Sequence, residues 1–186
     1  MKTRIAARIG DAAATNLHRA LVRSAVQAAR AAHCGPVELH VTRRHAFFRT
    51  LGVPVRLQRG ADLGSRMYWA LARHRRAMVI GADAPALMPS DIARAARCLR
   101  GAVDVVLTPA EDGGYALIGT RRATPAIFTA VQWGSDRVLA QTLHNLARGG
   151  LRCKLLRPVW DIDRPEDLER FRLRRFSLAR RRRVRR

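Results

Sequence analysis

The sequence predicts an α/β fold built on a mostly parallel sheet, and three observations predict it. Helix-like and strand-like apolar patterns alternate along most of the chain. Residues 77–81 (AMVIG) form a short, continuously apolar run, the pattern of a strand covered on both faces. Three strand-like segments run directly into carboxylates, at Asp83, at Glu111 with Asp112, and at Asp161 with Asp163. In parallel α/β sheets, ligands sit beyond the carboxyl ends of the strands.

The elements follow in order. Residues 11–33 read as a helix with Leu17, Ala20, Leu21, Ser24 and Ala28 on one face, ended by Cys34-Gly35-Pro36. Residues 37–42 (VELHVT) alternate as a strand, 44–51 form a short helix closed by Gly52, and 53–58 (VPVRLQ) form a second strand. Residues 65–76 are helical, with Met67, Ala70 and Leu71 inward, and the buried strand 77–81 follows. Ser90 caps a helix to about Leu99. Strands follow at 103–108 (VDVVLT) and 115–119 (YALIG). Thr124-Pro125 is a helix start with proline in the first turn. Ser135 caps a helix to Arg148 that Gly149-Gly150 stop, 152–159 is a last strand, and residues from Arg164 onward are helical.

Composition limits the function classes. The chain has 186 residues, 48% hydrophobic and 27% charged, which excludes wholesale disorder and suits one domain. No apolar run reaches the roughly 18 residues of a membrane span. No apolar stretch backs Met1-Lys2-Thr3-Arg4, so no secretory signal is expected. Cys34, Cys98 and Cys153 lie far apart and form no CxxC pair, which argues against a zinc knuckle or disulfide framework and for a reducing cytoplasm. The net charge is +22, and ten arginines with no acid fall in residues 170–186, so the first 169 residues keep +12. The expected division is a body, 1–169, and an Arg-rich helical or disordered tail, 170–186. Only Lys2 and Lys154 are lysines, so the excess reflects arginine usage as readily as selection for nucleic acid.

The strand-end carboxylates are the candidate chemistry. A carboxylate at the end of a buried strand is costly unless paired or holding a cation. Several converging there suit Mg²⁺ or Mn²⁺. Continued strand alternation puts Asp161 and Asp163 on one side. Each acid also has a plain structural reading. Asp83 fits a turn or helix cap, and Glu166 and Asp167 fit the first turn of a helix, where they favour its dipole. Gly113-Gly114 fits a hairpin or close approach to a ligand. Trp133, Trp160 and Met67 fit core or rim positions. Lys2 and Arg4, just before the first helix, suit a di- or triphosphate or simply a solvated terminus. Arg66, in the loop entering a helix, faces an anionic ligand or solvent.

Taken in order, six motifs carry a resemblance. They are Lys2-Thr3-Arg4; Asp62-Leu63-Gly64-x-Arg66-Met67; Gly81-Ala82-Asp83-x-Pro85; Asp112-Gly113-Gly114-Tyr115-x-Leu117-Ile118-Gly119; Trp133-Gly134-Ser135 with Val138, Leu139 and Thr142; and Asp161-Ile162-Asp163-x-Pro165-Glu166-Asp167-Leu168. Over residues 2–168 the chain resembles the GT-A-type transferases known as radical-SAM/selenodomain-associated transferases or arsenosugar-biosynthesis glycosyltransferases. These are relatives of the nucleotide-diphospho-sugar transferases and of the molybdenum-cofactor and phospholactate nucleotidyltransferases.

The resemblance implies a three-layer α/β sandwich with a mostly parallel central sheet, a nucleotide sugar and a divalent metal, Mg²⁺ or Mn²⁺. It places Asp83 as the metal-binding acid, with Asp161 or Asp163 as a further contact. Lys2 and Arg4 would hold the phosphates, Asp62 and Arg66 would contact substrate, and Asp112, Gly113, Gly114 and Tyr115 would line the sugar or acceptor pocket. Asp112 would take the acceptor proton.

The family pattern has a strand and a Gly-containing loop before its Lys-Thr-Arg, whereas this sequence starts at that tripeptide. The expectation is a missing first strand, whose neighbours lose a ladder partner. A late start codon is favoured over a truncated gene or lost nucleotide binding.

The leading functional expectation is a metal-dependent transferase moving a glycosyl group from a nucleotide sugar to a small acceptor. A nucleotidyltransferase using a nucleoside triphosphate is the alternative. The remaining readings are an inactive truncated relic and a basic binder of nucleic acid or anionic surfaces. The body shows no nucleic-acid-binding motif and aromatics are only 5%, so specific nucleic-acid recognition is not expected. Weak anionic-surface contact is assigned to the tail.

Overall fold

The computed structural model of the chain describes residues 3–162 and 166–171. Two consecutive helices open it, α1 (Thr3–Ile9) and α2 (Asp11–Ala31). They are hinged at Gly10, whose φ of 81° breaks the helical path. Thr3 and Arg4 therefore lie inside a helix rather than ahead of the first one. Then come β1 (Leu39–Val41), α3 (Ala46–Arg49), β2 (Val55–Leu57), α4 (Leu63–Leu71), β3 (Ala77–Ile80), α5 (Pro89–Arg100), β4 (Val105–Pro109) and β5 (Tyr115–Thr120). A 3₁₀ turn (Pro125–Phe128), α6 (Val138–Arg148) and β6 (Cys153–Leu155) follow, and residues 167–171 are again helical.

The main sheet has the order β3-β5-β4-β6. β5 is antiparallel to both β3 and β4, and β6 is parallel to β4, so β3, β4 and β6 run one way. The sheet is therefore mixed rather than mostly parallel: three of its four strands share a direction, but the reversed β5 lies between β3 and β4 and makes two of the three ladders antiparallel. β5 is reversed because a five-residue hairpin loop, 110–114, joins it directly to β4, and only an antiparallel pair can be joined that tightly. β1 and β2 pair in parallel as a separate two-stranded sheet.

The three layers follow from the pleat. Successive residues of a strand face opposite sides. On one face, Val106 and Leu117 pack with Ile5 of α1, Leu21 of α2, and Ile92, Ala95 and Leu99 of α5. On the other, Val105, Leu107 and Ile118 pack with Met67 and Leu71 of α4, Ile127 and Phe128, and Leu146 of α6. Each fully buried aliphatic side chain contributes roughly 1.5–3 kcal/mol of transfer free energy. Trp160 belongs to the first cluster and Trp133 borders the second, as their core or rim reading expects.

Several local expectations need correction. β3 is half-buried at all four residues rather than enclosed. It is an edge strand whose only ladder partner among the described residues is β5. Ser90 lies within α5; the cap is Met88, whose backbone N–H donates to Asp91 Oδ2 at 2.9 Å. Ser135 precedes α6 instead of capping it. Its Oγ donates to Gln132 O at 2.8 Å and accepts from Arg137 N at 3.2 Å, shaping the approach turn. α4 starts two residues earlier than the apolar period suggests, because Asp62 and Ser65 form a reciprocal capping box. Residues 161 and 162 belong to no strand, so strand alternation does not orient the acids there.

Candidate active site

The loops at the carboxyl ends of β3, β4 and β6 meet along one rim of the main sheet, stitched by backbone hydrogen bonds. β3 ends with Gly81 N donating to Ala116 O at 2.9 Å. The loop after β4 is tied to the segment after β6, with Glu111 N donating to Val159 O at 3.1 Å. That segment is tied in turn to the loop after β3, with Ile162 N donating to Asp83 O at 2.9 Å. The last bond places the chain at Asp83 directly against the chain at Asp161 and Ile162. Ile162 is fully buried, which anchors the acid beside it.

Asp83 and Asp161 are both half-buried, and the Asp83 carboxylate folds back toward Gly81. A Cβ at Gly81 would lie 2.7 Å from Asp83 Oδ1, so a residue with a side chain there would displace the carboxylate. Asp163 and Lys2 lie outside the described residues, and of Arg4 only its backbone place in α1 is described.

The hairpin loop after β4 is shaped by Asp112, whose Oδ1 accepts from Gly114 N at 2.9 Å. The acid is exposed, and this Asx turn is a structural role alongside any chemical one. Gly113 has φ of 88°, and a Cβ on it would sit 2.2 Å from Asp136 O. Its glycine is therefore explained by tight packing on the loop 133–136, where Leu139 N also donates to Gly113 O at 2.9 Å. The same loop reaches α4: a Cβ at Gly64 would meet the Trp133 ring at 2.7 Å. Three of the six motifs, around Asp62, Asp112 and Trp133, thus form one contiguous wall.

Other predicted residues take mainly structural places. Asp62 Oδ1 accepts from Ser65 N at 2.7 Å, and these bonds hold its carboxyl below the usual range. Arg66 Nε donates to Gly60 O at 3.1 Å, bracing the loop that enters α4. The Tyr115 ring packs with the cluster beneath α6, and burial pushes its phenol above the usual range. Its hydroxyl is enclosed near Thr142, so it faces the core instead of the rim.

The structure adds pairings that no sequence pattern indicated. Glu111 forms a bidentate ion pair with Arg170, at 2.8 and 3.1 Å, and the Arg170 guanidinium lies over the Trp160 ring at 4.9 Å. Phe171 packs against the first core cluster. Arg170, the first residue assigned to the tail, thus joins the rim. Arg157 donates to Asp91 from Nε at 2.9 Å and Nη2 at 2.5 Å, and from Nη2 to Ala86 O at 3.3 Å. These partners lie 59 and 66 positions apart along the chain, beyond the reach of any local spacing rule.

The donors available to a cation here are carboxylate oxygens. Among the described residues no three His, Cys, Asp or Glu side chains cluster as a metal cage. Mg²⁺ and Mn²⁺ do not require one; Mg²⁺ is usually held by one or two carboxylates and completes its shell with water and substrate phosphates. Asp83 with Asp161 fits that description.

The chain is similar to known proteins over much of its length. A family model described as an uncharacterized protein conserved in bacteria (DUF2064) matches residues 16–135. A crystal structure from Desulfovibrio desulfuricans G20, provisionally described as a nucleotide-diphospho-sugar transferase, is similar with a TM-score of 0.80 and 27% identity. That match covers 88% of this chain and 76% of the other. No curated protein matches the chain. Among the described residues, no helix is long and apolar enough to cross a membrane.

Proposed function

We propose, from the premise that this chain belongs to the DUF2064 family and has the nucleotide-diphospho-sugar transferase fold, that it transfers a glycosyl group from a nucleotide sugar to a small acceptor. The observation that carries the reading is the Ile162–Asp83 backbone bond, which joins two acid-bearing loops at the carboxyl edge of the sheet. Asp83 and Asp161 would hold Mg²⁺ or Mn²⁺, with Asp163 two positions beyond Asp161 in sequence. A bound divalent ion supplies charge neutralisation of the diphosphate leaving group.

The chain's own residues position and exclude. Ile162 and Trp160, both buried, close the floor beneath the acids against water. The wall formed by Gly113, Gly64 and Trp133 fixes the hairpin that carries Asp112. That rigidity holds an acceptor at a constant distance from the donor. Asp112 stands on the exposed side of the hairpin, where its carboxylate can accept a proton from an acceptor hydroxyl. Lys2 and Arg4 are assigned to the donor phosphates on sequence grounds. The three cysteines are unbonded thiols, which supports a reducing cytoplasm as the setting.

Nucleotidyl transfer from a nucleoside triphosphate is the second reading, favoured by the same acid pair, which would serve either leaving group. Thermal unfolding with Mn²⁺ and a panel of nucleoside diphosphates, triphosphates and nucleotide sugars tests both. A ligand at 100 times its Kd stabilises by about 2.7 kcal/mol, so a metal-dependent rise in Tm identifies the donor class. No rise with any member of the panel overturns the transferase reading.

A further inference from the structure

We propose that Asp91 and Arg157 are positioning residues of this site: their ion pair holds the Asp83 loop against the Asp161 segment and so sets the spacing of the two acids. The inference deepens the reading above and rests on it. Asp91 is buried, at 8% exposure, and its two carboxylate oxygens are both engaged. Oδ1 accepts from Arg157 Nε at 2.9 Å, and Oδ2 accepts from Arg157 Nη2 at 2.5 Å and from Met88 N at 2.9 Å. Arg157 Nη2 also donates to Ala86 O at 3.3 Å. One guanidinium therefore grips the loop 81–88 at Ala86 and, through Asp91, at Met88.

The two ends of this arrangement are short tethers. Asp83 is three residues from Ala86, and Asp161 is four residues from Arg157. Between the clamp and the acids runs the Ile162–Asp83 bond. The segment 156–159 is itself fixed to β4, with Leu156 N donating to Leu107 O at 2.8 Å and Val159 N to Pro109 O at 2.9 Å. Arg157 thus projects from a rigid base. The loop 81–88 leaves an edge strand, and the guanidinium adds to the backbone bonds at Gly81 and Asp83 and to the burial of Ala84, Ala86 and Leu87 in holding it. The planar fork of arginine matters because it meets both oxygens at once, which lysine cannot do.

The test uses the whole chain and Mn²⁺ alone, with bound metal read by electron paramagnetic resonance at a temperature where every variant is fully folded. Amide hydrogen exchange at Ile162 is read in parallel. Arg157→Met is expected to weaken Mn²⁺ binding about 10-fold to 100-fold, the range for partners that orient metal ligands. It is also expected to lower protection of the Ile162 amide while β4 and β5 amides stay protected. Arg157→Lys recovers part of the binding. Leu146→Ala, which empties a site on the opposite face of the sheet, lowers Tm and leaves Mn²⁺ affinity unchanged.

Wild-type affinity and Ile162 protection in Arg157→Met would overturn the proposal. If Arg157→Met fails to fold, the charge-neutral pair Asp91→Asn with Arg157→Met replaces it and is judged by the same two readouts. If the wild-type chain binds no Mn²⁺, the metal reading falls by itself. The exchange arm then decides whether the pair holds the two segments together, and unchanged protection sinks it.

Discussion

At the scale of single residues, the acids separate by what holds their backbones. Asp83 sits on a loop bonded to Ile162, and its carboxylate is accommodated by the missing side chain at Gly81. Asp83→Ala is expected to remove metal-dependent nucleotide binding while Tm changes little, since the Ile162–Asp83 bond runs through the backbone and survives the substitution. Normal nucleotide binding by this variant would show that the metal assignment is wrong. Asp112 poses a different question, because it already makes a turn. Asp112→Asn preserves the oxygen that accepts from Gly114 N and removes only the basicity. If Asp112 takes the acceptor proton, kcat falls roughly 10²–10⁴-fold with KM nearly constant. An unchanged kcat returns Asp112 to its structural role. Asp83 and Asp112 were legible in sequence because strand-end carboxylates are local features. Tyr115 was placed at the substrate by the family resemblance, whereas its ring packs with the cluster beneath α6. The pleat of β5, and not the motif, decides which way that side chain faces.

At the scale of elements, one acid reinforces the ladder between β1 and β2. Glu38 Oε2 meets Arg56 Nε at 2.7 Å, His40 Nε2 at 3.4 Å and Arg73 Nε at 3.7 Å. It thereby ties the start of β1 to β2 and to the end of α4. The hydrogen bond from Arg56 is the largest influence on Glu38 and holds its carboxyl below the ordinary 4.5. Burial is the largest influence on His40 and holds its imidazole below the ordinary 6.5. Both folded values are depressed, so both groups contribute stability above their unfolded values and lose it as pH falls through the folded ones. Resistance to urea unfolding is expected to fall from about pH 6.5 downward for His40, and again below about 4.5 for Glu38. Glu38→Gln should cost about 1 kcal/mol at pH 7 and flatten the lower step. An unaltered step would mean another carboxylate governs it. This network was not legible beforehand, because Arg73 reaches β1 only after α4 has folded over.

At the scale of the whole molecule, the charge carried beyond Phe171 is expected to be separable from the site. Nine of the ten arginines in residues 170–186 lie beyond Phe171, and Arg170 is engaged with Glu111. Ending the chain after Phe171 is expected to weaken binding to a polyanion such as heparin. The slope of log K against log salt should drop by about 0.7–0.9 per lost phosphate-like contact. Metal-dependent nucleotide binding should be unaffected. If nucleotide binding falls in step, the tail contributes to the site, and its separation from the body is wrong.

Sequence by itself determined the alternation of elements and the acids that follow the strands. Each depends on apolar period or on a residue's position relative to a strand, and both are local. It also carried the resemblance that the fold bears out. Tertiary structure decided the rest: the place of β5 between β3 and β4, the edge position of β3, and the pairs Asp91–Arg157 and Glu111–Arg170. A strand's neighbours, and the partner of a charge, are chosen by chain crossings between segments far apart in sequence. Hydrophobic period records which face of an element is covered; it does not record what covers it.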